Sequence, residues 1–214
     1  MSSSETAGAP PGTAPRELTE LVGRFPALTP PVSAAGAAVV IVLRNGDTEV
    51  ETLLIERTER NDDPGSGQVA FPGGHVAESD GSLAATALRE LHEEVGLARS
   101  DIAGDLRYVG TELAVRFGLR VAIFAAILSA EATAPTAYSR DEVAHVFWMP
   151  RSALSGSQPI TRETSRGLAQ VRATVFDEHI LWGFTRRVLC QFFGIPNQDE
   201  AIGPVFVPRP PDPS

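Results

Sequence analysis

Apolar residues along this chain fall into short clusters whose spacing switches between strand-like and helix-like. Residues 34–43 are too apolar to face water on either side and predict a buried strand. Asn45-Gly46 follows as a hairpin turn signal, and residues 48–57 return as the partner strand. Residues 59–67 read as a polar loop with Pro64, Gly65 and Gly67, and residues 68–71 as a short strand entering a tight Pro72-Gly73-Gly74 turn. Ala84, Ala87, Leu88, Leu91 and Val95 then share one helical face, and Gly96 stands where a helix C′ residue would. Residues 106–115 and 119–128 predict two strands joined across Phe117-Gly118, residues 131–140 a mobile loop, and residues 143–149 a strand ending at Pro150. A short helix could start at 151–154. Residues 156–167, rich in Gly, Ser, Thr and Arg, predict a long loop, and 169–176 a further strand. Residues 179–193 carry Ile180, Leu181, Phe184, Val188, Leu189 and Phe192 at helical spacing. Ahead of the first strand, residues 16–25 predict a short helix on Leu18, Leu21 and Val22, broken by Pro26, Pro30 and Pro31. This order predicts an α/β fold, a mixed sheet packed between helices as an α/β/α sandwich. One domain is expected over 16–194, after a disordered leader at 1–15 and before a Pro-rich tail at 195–214 without clear structure.

Composition narrows the chemistry. A hydrophobic content of 43% over 214 residues is enough for a real core. No apolar run approaches the ~18 residues of a bilayer span, and no signal-peptide core stands near the N-terminus. The single cysteine, Cys190, excludes intrachain disulfides and multi-cysteine zinc sites and reads as a buried small hydrophobe. A cytoplasmic protein without membrane partners is expected. The net charge of −9 argues against nucleic acid as a partner. All eighteen basic residues are arginine. P-loop, kinase and Schiff-base chemistry each need a lysine and are excluded. Phosphate groups would fall to arginine, metal, backbone N–H or histidine.

Glu90, Glu93 and Glu94 lie beside the apolar helix face at i, i+3 and i+4, so their side chains converge. Cβ atoms at such spacings are about 5–6 Å apart, a gap that suits a hard divalent cation. An isolated Glu-Glu doublet is ordinarily a solvated face. Three carboxylates on one edge repel by a few tenths of a kcal/mol each, and the Gly-Gly segment upstream and the Gly96 stop downstream add independent constraints.

At these residues the chain resembles the Nudix hydrolases. Their box reads G-x5-E-x7-R-E-U-x-E-E-x-G-U, with U aliphatic, and Arg89-Glu90-Leu91-His92-Glu93-Glu94-Val95-Gly96-Leu97 matches its second half at every specified position. The first half fits with one extra residue: Gly74, five residues, Asp80, then eight residues to Arg89. That lengthened loop, with Asp for Glu, is similar to the branch containing coenzyme A pyrophosphatases. The resemblance implies Mg²⁺ or Mn²⁺ held by Glu90, Glu93, Glu94 and the Gly74 carbonyl. It also implies water attack on the diphosphate of a small-molecule nucleoside diphosphate derivative. Glu93 is a candidate general base, and Arg89 orients a box glutamate. Glu142 precedes a strand where some members place an extra catalytic glutamate. Asp80 is expected to cap the helix, His75 could contact phosphate, and His92 points to solvent.

Leu53-Leu54-Ile55-Glu56-Arg57-Thr58, followed by Gly67-Gln68-Val69-Ala70-Phe71-Pro72-Gly73-Gly74, is similar to the signature preceding the box in coenzyme A pyrophosphatases. Trp182-Gly183-Phe184-Thr185 and the segment from Val143 to Pro150 resemble the same branch. Coenzyme A or a thioester is the implied substrate, giving 3′,5′-ADP and 4′-phosphopantetheine, with Arg57, Arg60, Gly73 and His75 as binding residues. Where that signature carries a central arginine this chain has Asp63, and Arg60 could replace it only if the loop has shifted. ADP-ribose or a nucleotide sugar is the alternative substrate, and a non-catalytic nucleotide-sensing domain the alternative function. A homodimer is compatible with either.

Overall fold

In chain order the elements are α1 (Arg16–Gly23), β1 (Ala37–Asn45), β2 (Val50–Arg57), β3 (Val69–Ala70), β4 (Gly73–His75), α2 (Leu83–Val95), β5 (Ile102–Ala114), β6 (Leu119–Leu128), β7 (Val143–Pro150), β8 (Gln158–Thr164), β9 (Gly167–Phe176), β10 (His179–Trp182), α3 (Gly183–Phe193) and β11 (Phe206–Val207). This computed structural model describes residues 16–60, 65–132, 135, 139–164, 167–196 and 206–207. The expected leader, Asp63, part of the 131–140 loop and most of the expected tail lie outside them. Among the described residues no helix is long and apolar enough to cross a membrane.

The two most apolar strands, β1 and β6, run parallel from Ala37↔Val121 to Leu43↔Ile127 at the centre of a seven-stranded sheet. Both faces of that pair are covered, as parallel strands require. Ala38, Val40 and Val42 of β1 pack with Leu53, Ile55 and Phe124 against Leu83, Ala87, Leu91 and Val95 of α2. Ile41 and Leu43 face the other way, with Leu54 and Ile123, against Leu18 and Val22 of α1 and Val188, Leu189 and Phe192 of α3. The α/β/α layering and the mixed sheet therefore match the sequence expectation. Truncating a side chain as buried as Leu91 to Ala costs about 2–5 kcal/mol.

β1 and β2 diverge, and the chain from β3 to β4 fills the gap. One edge of β1 pairs β2 over Leu43–Asn45 and β4 over Ala37–Val39. β2 pairs β3 at Ile55↔Ala70 and Glu56↔Val69. The Gly-Gly segment expected as a tight turn is thus a strand pressed onto β1. Gly73 has φ +148, and a Cβ there would stand 2.3 Å from the Ala38 carbonyl oxygen. Only glycine tolerates both conditions.

Three other expectations need correction. The first hairpin spans residues 46–49, with Gly46 N–H donating to the Glu49 carbonyl at 2.8 Å, rather than turning on two residues. Residues 158–164, expected as loop, form β8, because β9 offers a partner from Gln158↔Ala173 to Thr164↔Gly167. The expected helix from 179 begins only at Gly183, and His179–Trp182 pair with Phe176–Ala173 instead. β8, β9 and β10 thereby form a second, antiparallel sheet, joined within the expected tail by β11 on Leu168 and Ala169.

Candidate active site

The candidate site is built where β4 runs along the later turns of α2. Ser82 caps that helix, its Oγ accepting from Ala85 N–H at 3.1 Å, and Gly96 ends it at φ 74 with its N–H on the His92 carbonyl. Asp80, expected as the cap, has a different task. Its carboxylate accepts from Ala77 N–H at 2.9 Å, from Thr86 Oγ1 at 2.9 Å, and from Arg89 Nε and Nη2 at 3.1 Å each. Arg89 also donates through Nη2 to the His75 carbonyl at 3.0 Å and through Nη1 to Glu90 Oε1 and Glu93 Oε2 at 2.9 Å each. A guanidinium has five N–H donors, and these five bonds use all of them. Arg89 therefore orients the box carboxylates and has no donor left for a substrate. Its hydrogen bond, then that of Ala77, holds the Asp80 carboxyl well below the usual carboxylate range. Asp80 in turn raises Arg89 above its ordinary value.

Glu94 and Glu90 experience the opposite. Glu94 is buried, and desolvation pushes its pKa up to about 8, with the Glu90 and Glu142 charges adding to the rise. The Gly73 N–H donates to Glu94 Oε2 at 2.8 Å, and that bond and the Arg57 charge oppose the shift without cancelling it. Burial likewise raises Glu90, against the pull of Arg89 and helped by Glu93 and Glu142. Gly74 makes room for Glu90: a Cβ at residue 74 would stand 2.5 Å from its Oε1.

Carboxylates that burial and mutual repulsion hold above their ordinary pKa fit a hard divalent cation, whose charge offsets both effects. Glu90, Glu93 and Glu94 are the side chains of this group that could offer it oxygen donors. As they stand, no three ligating side chains among the described residues are gathered to hold an ion. Arg89 draws Glu90 and Glu93 to itself, and Gly73 draws Glu94.

The remaining expected residues scatter around this group. The Glu142 side chain is exposed on the turn before β7, close enough for its charge to reach Glu90 and Glu94. The His75 ring is exposed, and only its carbonyl enters the network. Arg60 turns its guanidinium to the Asp141 carbonyl. His92 is exposed and Cys190 buried, as expected.

Behind β3 lies a cavity of about 390 Å³ lined by Glu56, Glu59, Gln68, Arg162, Glu178 and Trp182 among others. Thr185 Oγ1 donates to the Val69 carbonyl at 3.1 Å and ties α3 to β3 beside it. His179 is buried, stacks on Phe147 at 3.7 Å, and meets Glu56 Oε2 through Nδ1 at 2.7 Å. Sequence reasoning missed Ser82 and this His179–Glu56 pair. A Ser one residue before an apolar periodic run is a helix-start signal, whereas nothing local in the sequence joins residues 56 and 179.

Comparison with known proteins identifies the family. A NUDIX domain model matches residues 34–170. The uncharacterized Nudix hydrolase NudL of Enterobacter sp. (strain 638) is 32% identical over 182 residues, covering 80% of this chain and 91% of that protein. NudL of Pectobacterium atrosepticum, described in the same words, is 29% identical over 182 residues, covering 81% and 92%. Among solved structures, a MutT/nudix family protein from Enterococcus faecalis aligns with a TM-score of 0.50 at 16% identity, over 85% of this chain and 69% of that one. That last likeness concerns the fold alone.

Proposed function

The chain belongs to the Nudix family, and we propose that it hydrolyses the diphosphate of coenzyme A or its thioesters, giving 3′,5′-ADP and 4′-phosphopantetheine. The observation that carries a diphosphatase reading is the Arg89 hub, which fixes Glu90 and Glu93 beside Glu94 and Gly73. Glu90, Glu93, Glu94 and the Gly74 carbonyl would hold the divalent cation, Mg²⁺ or Mn²⁺. When bound, such a cation neutralises diphosphate charge and lowers the pKa of coordinated water.

The protein's own part is placement and proton transfer. Water oxygen bonds to one phosphorus, the bridging P–O bond breaks, and the departing phosphate keeps the electron pair. Glu93 takes the proton of the attacking water; Arg89 engages its Oε2, and the side chain is 52% exposed. A positioned carboxylate base contributes roughly 10²–10⁴ in rate. Glu142 is the second carboxylate that could do this work, and Arg89 acts by orientation.

Coenzyme A is supported by two separate stretches of the signature that meet at one place. Gly67, Gln68 and Val69 from the first and Trp182 from the second line the same cavity. ADP-ribose or a nucleotide sugar is the second reading, and two observations favour it. The cavity wall sets Glu56, Glu59 and Glu178 against Arg162, a poor setting for a 3′-phosphate. Arg60, the substitute for the arginine replaced by Asp63, is engaged with Asp141. Turnover of coenzyme A, 3′-dephospho-coenzyme A and ADP-ribose with Mg²⁺ separates the readings. Coenzyme A should exceed its dephospho form about ten- to a hundredfold if the 3′-phosphate gains a charged hydrogen bond. Preference for either of the others would transfer the assignment to the second reading.

A further inference from the structure

Three consecutive carbonyls of the turn before β7 are each taken by a donor from the residues just after β2. Thr58 Oγ1 donates to the Arg140 carbonyl at 3.1 Å, the Arg60 guanidinium to that of Asp141, and Thr58 N–H to that of Glu142 at 3.0 Å. Within the turn, the N–H groups of Glu142 and Val143 both donate to the Ser139 carbonyl, at 3.0 and 2.8 Å. Val143 is completely buried and anchors the exit of the turn. The pairing of β2 with β7 also slips here: Glu56 stands opposite His145 and Arg57 opposite Val143, which leaves Ala144 as the extra residue of a bulge. Bulges beside active sites re-aim neighbouring side chains.

An exposed glutamate on a short turn would ordinarily sample many positions. Here every peptide carbonyl from residue 140 to 142 is held, and the held end runs into Val143, which packs in one buried apolar cluster with Ala87, Leu91 and Val95 of α2. The donors, Thr58 and Arg60, follow directly on β2, so the end of that strand and the turn are tied together.

We propose that Thr58 and Arg60 are positioning residues that hold the Glu142 carboxylate over the α2 glutamates through the turn 139–142. The proposal rests on reading the chain as a diphosphatase, and it gives Arg60 a task other than substrate binding. The hold should act on the rate of the bound complex and leave substrate affinity alone, since a misplacement of about 1 Å can cost up to about a hundredfold.

The test is kcat and KM, with Mg²⁺ and the best-cleaved compound of the three above, for T58V, T58S, R60A, E142Q and the double variant T58V/E142Q. T58V and R60A should each lower kcat by about tenfold with KM within about twofold, and T58S should restore it. In the E142Q background T58V should have little further effect, because coupled groups are non-additive. An equal loss from T58V in both backgrounds would overturn the proposal, as would full activity of E142Q. A rise in KM alone for R60A would return Arg60 to substrate binding and overturn its part. If wild-type protein cleaves none of the compounds, the diphosphatase reading fails separately. Amide exchange across residues 139–143 then judges the hold: faster exchange in T58V and R60A supports it, and unchanged exchange overturns it.

Discussion

Asp80→Asn offers a sharp test of how the site is held together. The substitution keeps the size of the side chain and removes its charge. Asp80 is 5% exposed and accepts four hydrogen bonds, two of them from Arg89. An asparagine has one acceptor oxygen, so its amide nitrogen must face donors on the other side. A hydrogen bond to a charged group is worth about 1.5–3 kcal/mol. Arg89 is 29% exposed and can be partly rehydrated, so we place the loss near 3 kcal/mol, within roughly 2–4. Urea unfolding of both proteins at pH 7 measures it directly, with equal m-values confirming that the states compared are the same.

The pH dependence supplies the second half of that test. The folded state lowers the Asp80 pKa below its ordinary 3.8. Its contribution is therefore complete above that value and is lost as pH falls below it. At pH 3 the gap between wild type and variant should narrow by about 1 kcal/mol, given about 1.36 kcal/mol per unit. A gap under about 1 kcal/mol at pH 7, or one that persists undiminished at pH 3, would refute the role assigned to Asp80.

Glu94 has the opposite sign. A carboxyl raised from 4.5 to about 8 is most compatible with folding below pH 4.5, and that stability is lost as pH rises through 8. In chelator at pH 9, Glu94→Gln should therefore be the more stable protein by at least about 1 kcal/mol; a lower Tm would contradict this. Adding Mg²⁺ should raise the wild-type Tm and move the variant less. Glu93→Gln should lower kcat by at least ~10²-fold with an unchanged circular dichroism spectrum, and a larger loss in Glu142→Gln would move the base there. Gly73→Ala should destabilise by at least about 2 kcal/mol, since its Cβ would meet the Ala38 carbonyl; an unfolding midpoint equal to wild type would dispose of that reasoning.

The parts of this site that were legible in sequence are those encoded within one turn of helix. Arg89, Glu90, Glu93 and Glu94 sit at fixed angles once α2 forms, so their convergence follows from spacing alone. The task of Asp80 was not legible, because a loop one residue longer can place a carboxylate at the helix cap or at Arg89. Only the path of residues 76–81 decides between them. The second sheet was hidden for another reason. Gln158–Thr164 shows no apolar–polar alternation, with Ile160 its one large apolar side chain, and its partner β9 supplies the order that its own sequence does not signal. In residues 179–193, Ile180, Leu181 and Phe184 suit helical spacing, yet Gly183 at φ +65 separates strand from helix. Helical periodicity and strand pairing compete over such short apolar runs, and pairing with Phe176–Ala173 wins.

The most direct measurement is product mass spectrometry after incubating the protein with Mg²⁺ and coenzyme A or ADP-ribose in ¹⁸O-labelled water. The proposed reaction requires cleavage between the two phosphorus atoms, one labelled oxygen on a single phosphate product, and loss of turnover in chelator and in Glu93→Gln. Turnover that persists in chelator, or a folded protein that cleaves neither compound, would contradict a metal-dependent diphosphatase built on the Arg89 hub.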